Sequence, residues 1–306
     1  MLSYIVRRLI LAIPVLLGVS LITFILLNVV PGDPVLEMVG KHADPATIER
    51  IRKQLGLDDP IIVQFGRFIF NAMRGDLGRS FKTNQPVMKM IMDTFPTTVK
   101  LALTSASVAI VIGIIVGIIS AVKQDTIFDH TARIIALAGI SAPVFWVAVV
   151  FQLIFGLKLK WFPISGYGTW KHMILPAFVL GIRFAASIAR YTRSTLLDVI
   201  RQDYIRTARA KGLSERAVIF GHALKNALIP VVTIIGMQIG GLLTGSFLVE
   251  TIFAIPGLGR LSILALSNRD YPLVQGTVLF TAVVYTLANL IVDISYAFLD
   301  PRVRLQ

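Results

Sequence analysis

Four histidines and no cysteine narrow the chemistry open to this chain. A metal site needs several ligands converging on one point, and His42, His130, His172 and His222 fall in separate stretches with no clustered spacing, so no metal is expected. Without cysteine there is no thiolate nucleophile and no disulfide. The phosphate-cradling pattern G-x-x-x-x-G-K-[ST] is absent: Lys211-Gly212-Leu213-Ser214 has its letters without its spacing, and neither H-E-x-x-H nor G-x-S-x-G occurs. The sequence therefore predicts no catalytic residue and no cofactor bound by this chain. What remains are polar groups inside long apolar blocks, namely Arg183, Asp293, Gln152, Gln238 and Asn289. Such groups are costly in hydrocarbon unless they face a cavity or a partner. They are candidates for a solute path, against the alternatives that the charges pair with other side chains and the amides bridge helices.

The elements that position these groups are membrane spans. Hydrophobic residues make up 55% of the chain, charged residues 15%, and mean hydropathy is +0.76, with apolar blocks long enough to cross a bilayer. Six candidate spans run roughly Leu9–Val30, Thr98–Val122, Ile134–Leu157, Met173–Ala189, Leu228–Val249 and Leu273–Phe298. The expected fold is all-α and integral to the membrane, with an N-terminal segment and first span (1–30), an external loop (31–97) and a core of five spans (98–306). Met1 to Arg8 is too short for a cleavable signal, so the first span is expected to remain as an anchor.

Lys and Arg in short loops orient such a chain. With both termini in the cytoplasm, the inner side collects Arg7, Arg8, Lys123, Arg133, the basic run from Arg190 to Lys225, Arg302 and Arg304. The short outer loops hold only Lys158, Lys160, Lys171, Arg260 and Arg269. Trp161, Phe162 and Trp170 then lie at the outer interface, where amphipathic rings settle. The net charge of +13 is accounted for by this topology, since the basic residues lack the aromatic interleaving of a nucleic-acid surface.

Two amphipathic helices are expected outside. Asp44 and Pro45 open the first, with Ile48, Ile51 and Leu55 on one face and Gly56 as its stop; Asp59 and Pro60 open the second, with Ile62, Phe65 and Ile69 and a stop at Gly75. They lie on lipid, pack on the spans or receive an external partner. Farther on, Pro256, Gly257 and Gly259 break any helix while Phe253 and Leu258 are too apolar for water, so Glu250 to Leu261 folds back against the outer mouth as a gate, a seat for an outer partner or a packed turn.

The inner loop, 193–228, carries a helix expected to continue from the fourth span over Leu196 to Lys211, a glycine stop at Gly212 and a new helix capped by Ser214. Small Ala208 and Ala210 permit close approach of another backbone, and Arg209 and Lys211 supply charge.

Arg206-Thr207-Ala208-Arg209-Ala210-Lys211-Gly212-Leu213, followed by His222-Ala223-Leu224-Lys225-Asn226-Ala227-Leu228-Ile229-Pro230, resembles the coupling motif of permease subunits of bacterial ABC importers, in the form of the dipeptide and oligopeptide permeases. Pro31-Gly32-Asp33-Pro34, Gly75-Asp76-Leu77-Gly78, Phe128-Asp129-His130, Ile174-Leu175-Pro176, Val249-Glu250-Thr251-Ile252-Phe253, Pro256-Gly257-Leu258-Gly259, Arg269-Asp270-Tyr271-Pro272 and Asp300-Pro301-Arg302 follow that subfamily in order, over nearly the whole chain. Arg206-Thr207-Ala208 replaces the Glu-Ala-Ala opening of the wider superfamily.

The resemblance implies the type I importer permease fold and a subunit of the cell membrane without an ATP site. It implies a second, homologous permease, two cytoplasmic ATPase subunits that bind ATP and Mg, and an extracytoplasmic peptide-binding protein. It also implies small peptides or glutathione as solute, with nickel or another small solute as the alternative. A gradient-driven carrier would carry several intramembrane carboxylates, where here Asp293 is nearly alone.

Overall fold

The computed structural model describes residues 2–29, 35–36 and 44–299. The Pro31–Pro34 motif, His42, the Asp300–Arg302 motif and Arg304 lie outside the described residues. The fold is helical throughout: among the described residues the only β pairing is an isolated antiparallel bridge between Arg79 and Pro86.

Among the described residues five helices are long and apolar enough to cross a membrane: α1 (Leu2–Val29), α4 (Val87–Val122), α7 (Lys171–Ile200), α9 (Leu224–Leu243) with the turns before it, and α12 (Tyr271–Leu299). A sixth crossing is made if α5 (Ile127–Ser141) and α6 (Val144–Phe151), with its π-helical continuation Gln152–Lys158, form one span; the pair bends by 105°. The expectation of an unbroken crossing over Ile134–Leu157 is thereby corrected. Ala142 precedes Pro143, whose ring pushes it into extended backbone (ψ 132°), and the helix cannot pass through. The fifth span also ends earlier than expected. It stops at Leu243, because Gly245 turns through a positive φ of 94°, and the chain resumes as the short α10 (Phe247–Ile252).

Conversely, α4 starts eleven residues before the expected Thr98, with Pro96 accommodated inside the helix. The two helices expected between the first and second spans, α2 (Pro45–Leu55) and α3 (Ile61–Met73), are present. Asp44 occupies the N-cap position but accepts the first turn's N–H groups through its backbone carbonyl, not its side chain. Gly56 ends α2 at φ +64°, as its sequence position demands. On α3, Phe65 meets Phe24 of α1 edge to face at 5.5 Å, while Ile62 is largely exposed, so the helix is apolar on more than one side.

The chain divides into two units. One comprises residues 1–98, 244–247 and 256–286, with a core of Leu27, Leu77, Val87, Ile91, Leu258, Ala265, Leu273 and Val274. Within it the buried Asp270 carboxylate accepts the Ser80 hydroxyl and the Phe81 N–H, the latter at 3.0 Å. The other unit comprises 99–243, 248–255 and 287–306, and is organised on α7. Gly113 and Gly117 let α4 approach α7 closely: a Cβ on either would lie 2.6 Å from the Ile188 or Thr192 side chain and under 3 Å from a backbone carbonyl. Ile182 and Ala186 turn to α5, and Phe184 packs with Leu228, Val231 and Ile235 of α9.

Candidate functional site

The polar loop 193–228 is built on local signals. Gln202, in extended backbone (ψ 151°), separates α7 from α8 (Asp203–Ala210), so the expected continuous helix from Leu196 to Lys211 is corrected to a break at Arg201–Gln202. Asp203 stands in the first turn of α8, where a negative charge suits the helix N-terminus. Ile205 and Ala208, three residues apart on one face, are buried with Ala121, Leu196, Val218, Ala223 and Ala227. Ala208 thus anchors the helix within its own chain.

Gly212 closes the turn at φ +79°, with open space where a side chain would sit, so its backbone conformation alone calls for glycine. Ser214 caps the next helix, its Oγ accepting the Ala217 N–H at 3.4 Å, and that helix opens with a π-helical stretch, Ala217–Ala223. Arg209 donates two hydrogen bonds to the Glu215 carboxylate, at 2.7 and 3.3 Å, and holds that carboxyl below the usual carboxylate range. Arg209 therefore clasps the turn. Arg206, Thr207, Ala210, Lys211, Gly212 and Leu213 remain exposed, forming a short platform that presents Lys211 and Arg206, the latter paired with the exposed Asp203 at 3.6 Å.

Beside this platform, sequence reasoning passed over a charge cluster. Asp129 is fully buried; its two oxygens accept Arg193 Nε and Nη2, each at 2.7 Å, together with the Ser120 hydroxyl and the Asp125 N–H. Arg133 Nε stands 3.7 Å away. The signal was present in Phe128-Asp129-His130, an acid at a helix start beside an arginine-rich face, but Arg193 read as a topology marker. The clamp ties α5 to α7 in the unit that carries α8.

The path candidates disperse. Gln152 spends its amide N–H groups on the carbonyls of Ile164 (2.9 Å) and Ile252 (3.1 Å), a bridge between chain segments. Gln238 is half-buried on α9, its Oε1 buried without a hydrogen bond among the described residues. Asn289 and Asp293 are half-buried on α12. Arg183 is exposed near the middle of α7.

In the gate candidate, Glu250 and Phe253 are buried in one unit, where the Phe253 carbonyl accepts the Gly166 N–H at 2.8 Å and Ala254 holds a positive φ of 55°. Pro256, Gly257, Leu258 and Gly259 belong to the other unit. Gly259 does not break a helix: it is the second residue of α11 (Leu258–Ser267), which Gly257 caps. The Leu258 N–H is bound by Thr98 Oγ1 at 2.8 Å. His130 contacts Arg133, His172 contacts Thr169, and the described residues contain no group of three or more potential metal ligands.

The sequence model of the family described as "binding-protein-dependent transport system inner membrane component" matches residues 113–305, and the model of its N-terminal region matches 1–102. The chain belongs to this family. It is 42% identical to the dipeptide transport system permease protein of Alkalihalophilus pseudofirmus, over 99% of this chain and 100% of that one. It is 43% identical to the glutathione transport system permease protein of Escherichia coli O6:H1, over 99% of both. Among solved structures, a chain of a methionine ABC transporter in an inward-facing form matches with a TM-score of 0.59 at 20% identity, over 71% of this chain and 99% of that one. A chain of an amino acid ABC transporter matches with a TM-score of 0.53 at 13% identity, over 70% and 94%. The fold expected from the resemblance, that of an ABC importer permease, is the fold observed, and this component is a multi-pass protein of the inner membrane.

Proposed function

We propose that this inner-membrane component forms half of the translocation path of an ATP-driven importer of short peptides, with both termini in the cytoplasm. A homologous permease completes the path, two ATPase subunits bind ATP and Mg at the inner face, and a binding protein delivers the peptide from outside. The observation that carries the reading is the α8 platform: a short helix pinned by Ile205 and Ala208, clasped by Arg209–Glu215, with Thr207, Ala210, Lys211, Gly212 and Leu213 turned outward. A rigid helix rooted on the span bundle transmits displacement, where a slack loop would absorb it. The ATPases draw together on binding ATP, displace α8, and shift the spans between inward-open and outward-open arrangements. Peptide as the solute class follows the full-length likeness to the dipeptide and glutathione permeases.

The test is ATP hydrolysis and uptake by the whole complex in lipid vesicles, with its binding protein offered dipeptide, pentapeptide, glutathione or nickel. ATP-dependent uptake of one peptide class is expected, and Gly212→Pro, which cannot adopt φ +79°, should abolish it while the complex still assembles. Transport by this chain alone, indifferent to ATP, or full coupling in Gly212→Pro, would overturn the reading.

A further inference from the structure

Three faces of α7 are covered within its own unit: Ile188 and Thr192 by α4, Ile182 and Ala186 by α5, and Phe184 by α9. The fourth, lying between the α5 and α9 faces, presents Arg183, Ser187, Arg190 and Ser194, spaced i, i+4, i+7 and i+11 and hence in one row about 16 Å long. Arg183, Arg190 and Ser194 are exposed and Ser187 half-buried. Among the described residues no hydrogen bond or ion pair engages Arg183, and the hydroxyls of Ser187 and Ser194 are likewise open. Other span hydroxyls divide: Thr104, Ser107 and Thr195 donate to carbonyls of their own helices at 2.8 to 2.9 Å, whereas those of Ser105 and Thr192 are buried with no hydrogen bond among the described residues. Arg183 stands about 18 Å along α7, too deep for its head group to reach an interface cheaply.

A guanidinium at that depth requires either an anion or water. One fixed carboxylate from a partner subunit would satisfy Arg183 and leave the rest of the row unmatched. A short peptide matches the whole row, because its C-terminal carboxylate fits the planar guanidinium fork and its backbone carbonyls accept from hydroxyls. Resting on the peptide-import reading above, we propose that this face of α7 is a guiding rail in the translocation path, with Arg183 meeting the free C-terminal carboxylate of the passing peptide. Two arginines seven residues apart let the carboxylate be handed on instead of being held, as conduction requires.

The test compares uptake of a tripeptide with uptake of its C-terminal amide, by wild-type, Arg183→Lys and Arg183→Gln complexes in vesicles with the same binding protein. The binding protein's own preference is common to all three and cancels in the comparison. Arg183→Gln should shift the free-acid-to-amide ratio toward the amide by about tenfold, the worth of one charge-assisted hydrogen bond, and Arg183→Lys should keep most of the wild-type ratio. An unchanged ratio in Arg183→Gln overturns the proposal. If that variant does not assemble, Ser187→Asp, one turn along, decides: a fall in the ratio supports the rail, and an unchanged ratio assigns Arg183 to subunit pairing and overturns it. Failure of the peptide-import reading would look different, as absence of ATP-dependent uptake of both peptides by the wild-type complex.

Discussion

Asp129 shows how much one side chain can decide. Its carboxylate is fully buried and has Arg193, Ser120 and the Asp125 N–H as donors, so removing its charge strands a mostly buried guanidinium. Breaking one partner of such a pair costs about 3–5 kcal/mol, whereas replacing both by apolar groups is far milder. Asp129→Asn should therefore lower the thermal midpoint of the detergent-purified complex well below that of Asp129→Leu/Arg193→Met. Equal midpoints would mean that the pair contributes little to stability. The importance of this residue was only half legible in the sequence. An acid opening a helix is a local sign, but its partner lies 64 positions away, and nothing in the spacing pairs the two. Gly212 is the opposite case: the glycine announces its own conformation, and the structure has it at φ +79°.

Among the elements, close helix approach is where glycine placement can be tested. Gly117→Ala would place a Cβ 2.8 Å from the Ala189 carbonyl, a backbone atom that cannot swing aside, so α4 and α7 must separate at a cost of about 1–3 kcal/mol. Gly18→Ala on α1 meets nothing within 4 Å and should instead gain up to about 1 kcal/mol from helix propensity. Unfolding of both variants in mixed micelles measures the difference, and a harmless Gly117→Ala would show that the two helices are not in tight contact. Hydropathy located every long helix but not their interruptions. The Ala142–Pro143 break and the Gly245 turn are written in residues that sequence reading treats as tolerable inside spans, as Pro96, Pro176 and Pro230 indeed are. Whether a proline bends a helix depends on neighbours that re-satisfy its backbone, which is tertiary information.

For the whole molecule, the inside–outside assignment rests on basic residues, and the chain's lack of cysteine makes it directly measurable. Arg216→Cys in the inner loop and Arg50→Cys on α2 each introduce the only thiol at an exposed position. In intact cells an impermeant maleimide should modify Arg50→Cys at once and Arg216→Cys only after permeabilisation; modification of both from outside would overturn the topology. Family and fold class were legible because the motifs run the length of the chain. The division into two units was not, since its boundaries at Thr98 and Thr286 fall inside single helices, α4 and α12, where composition does not change.

The π-helical stretch Ala217–Ala223 also bears on how this protein can change over generations. An i→i+5 turn accommodates a residue more than the α-helical turn on either side. Loss of one codon there would leave every flanking side chain in place and simply let the helix relax to ordinary winding. The same deletion in the α-helical turns of α9 would instead rotate everything upstream by about 100°, swinging the buried face of Ile205 and Ala208 off its seat. The stretch from Ala217 to Ala223 is thus a place where the chain can lose a residue and keep its packing, whereas deletions in the α-helical turns that follow should be purged even where substitutions drift freely.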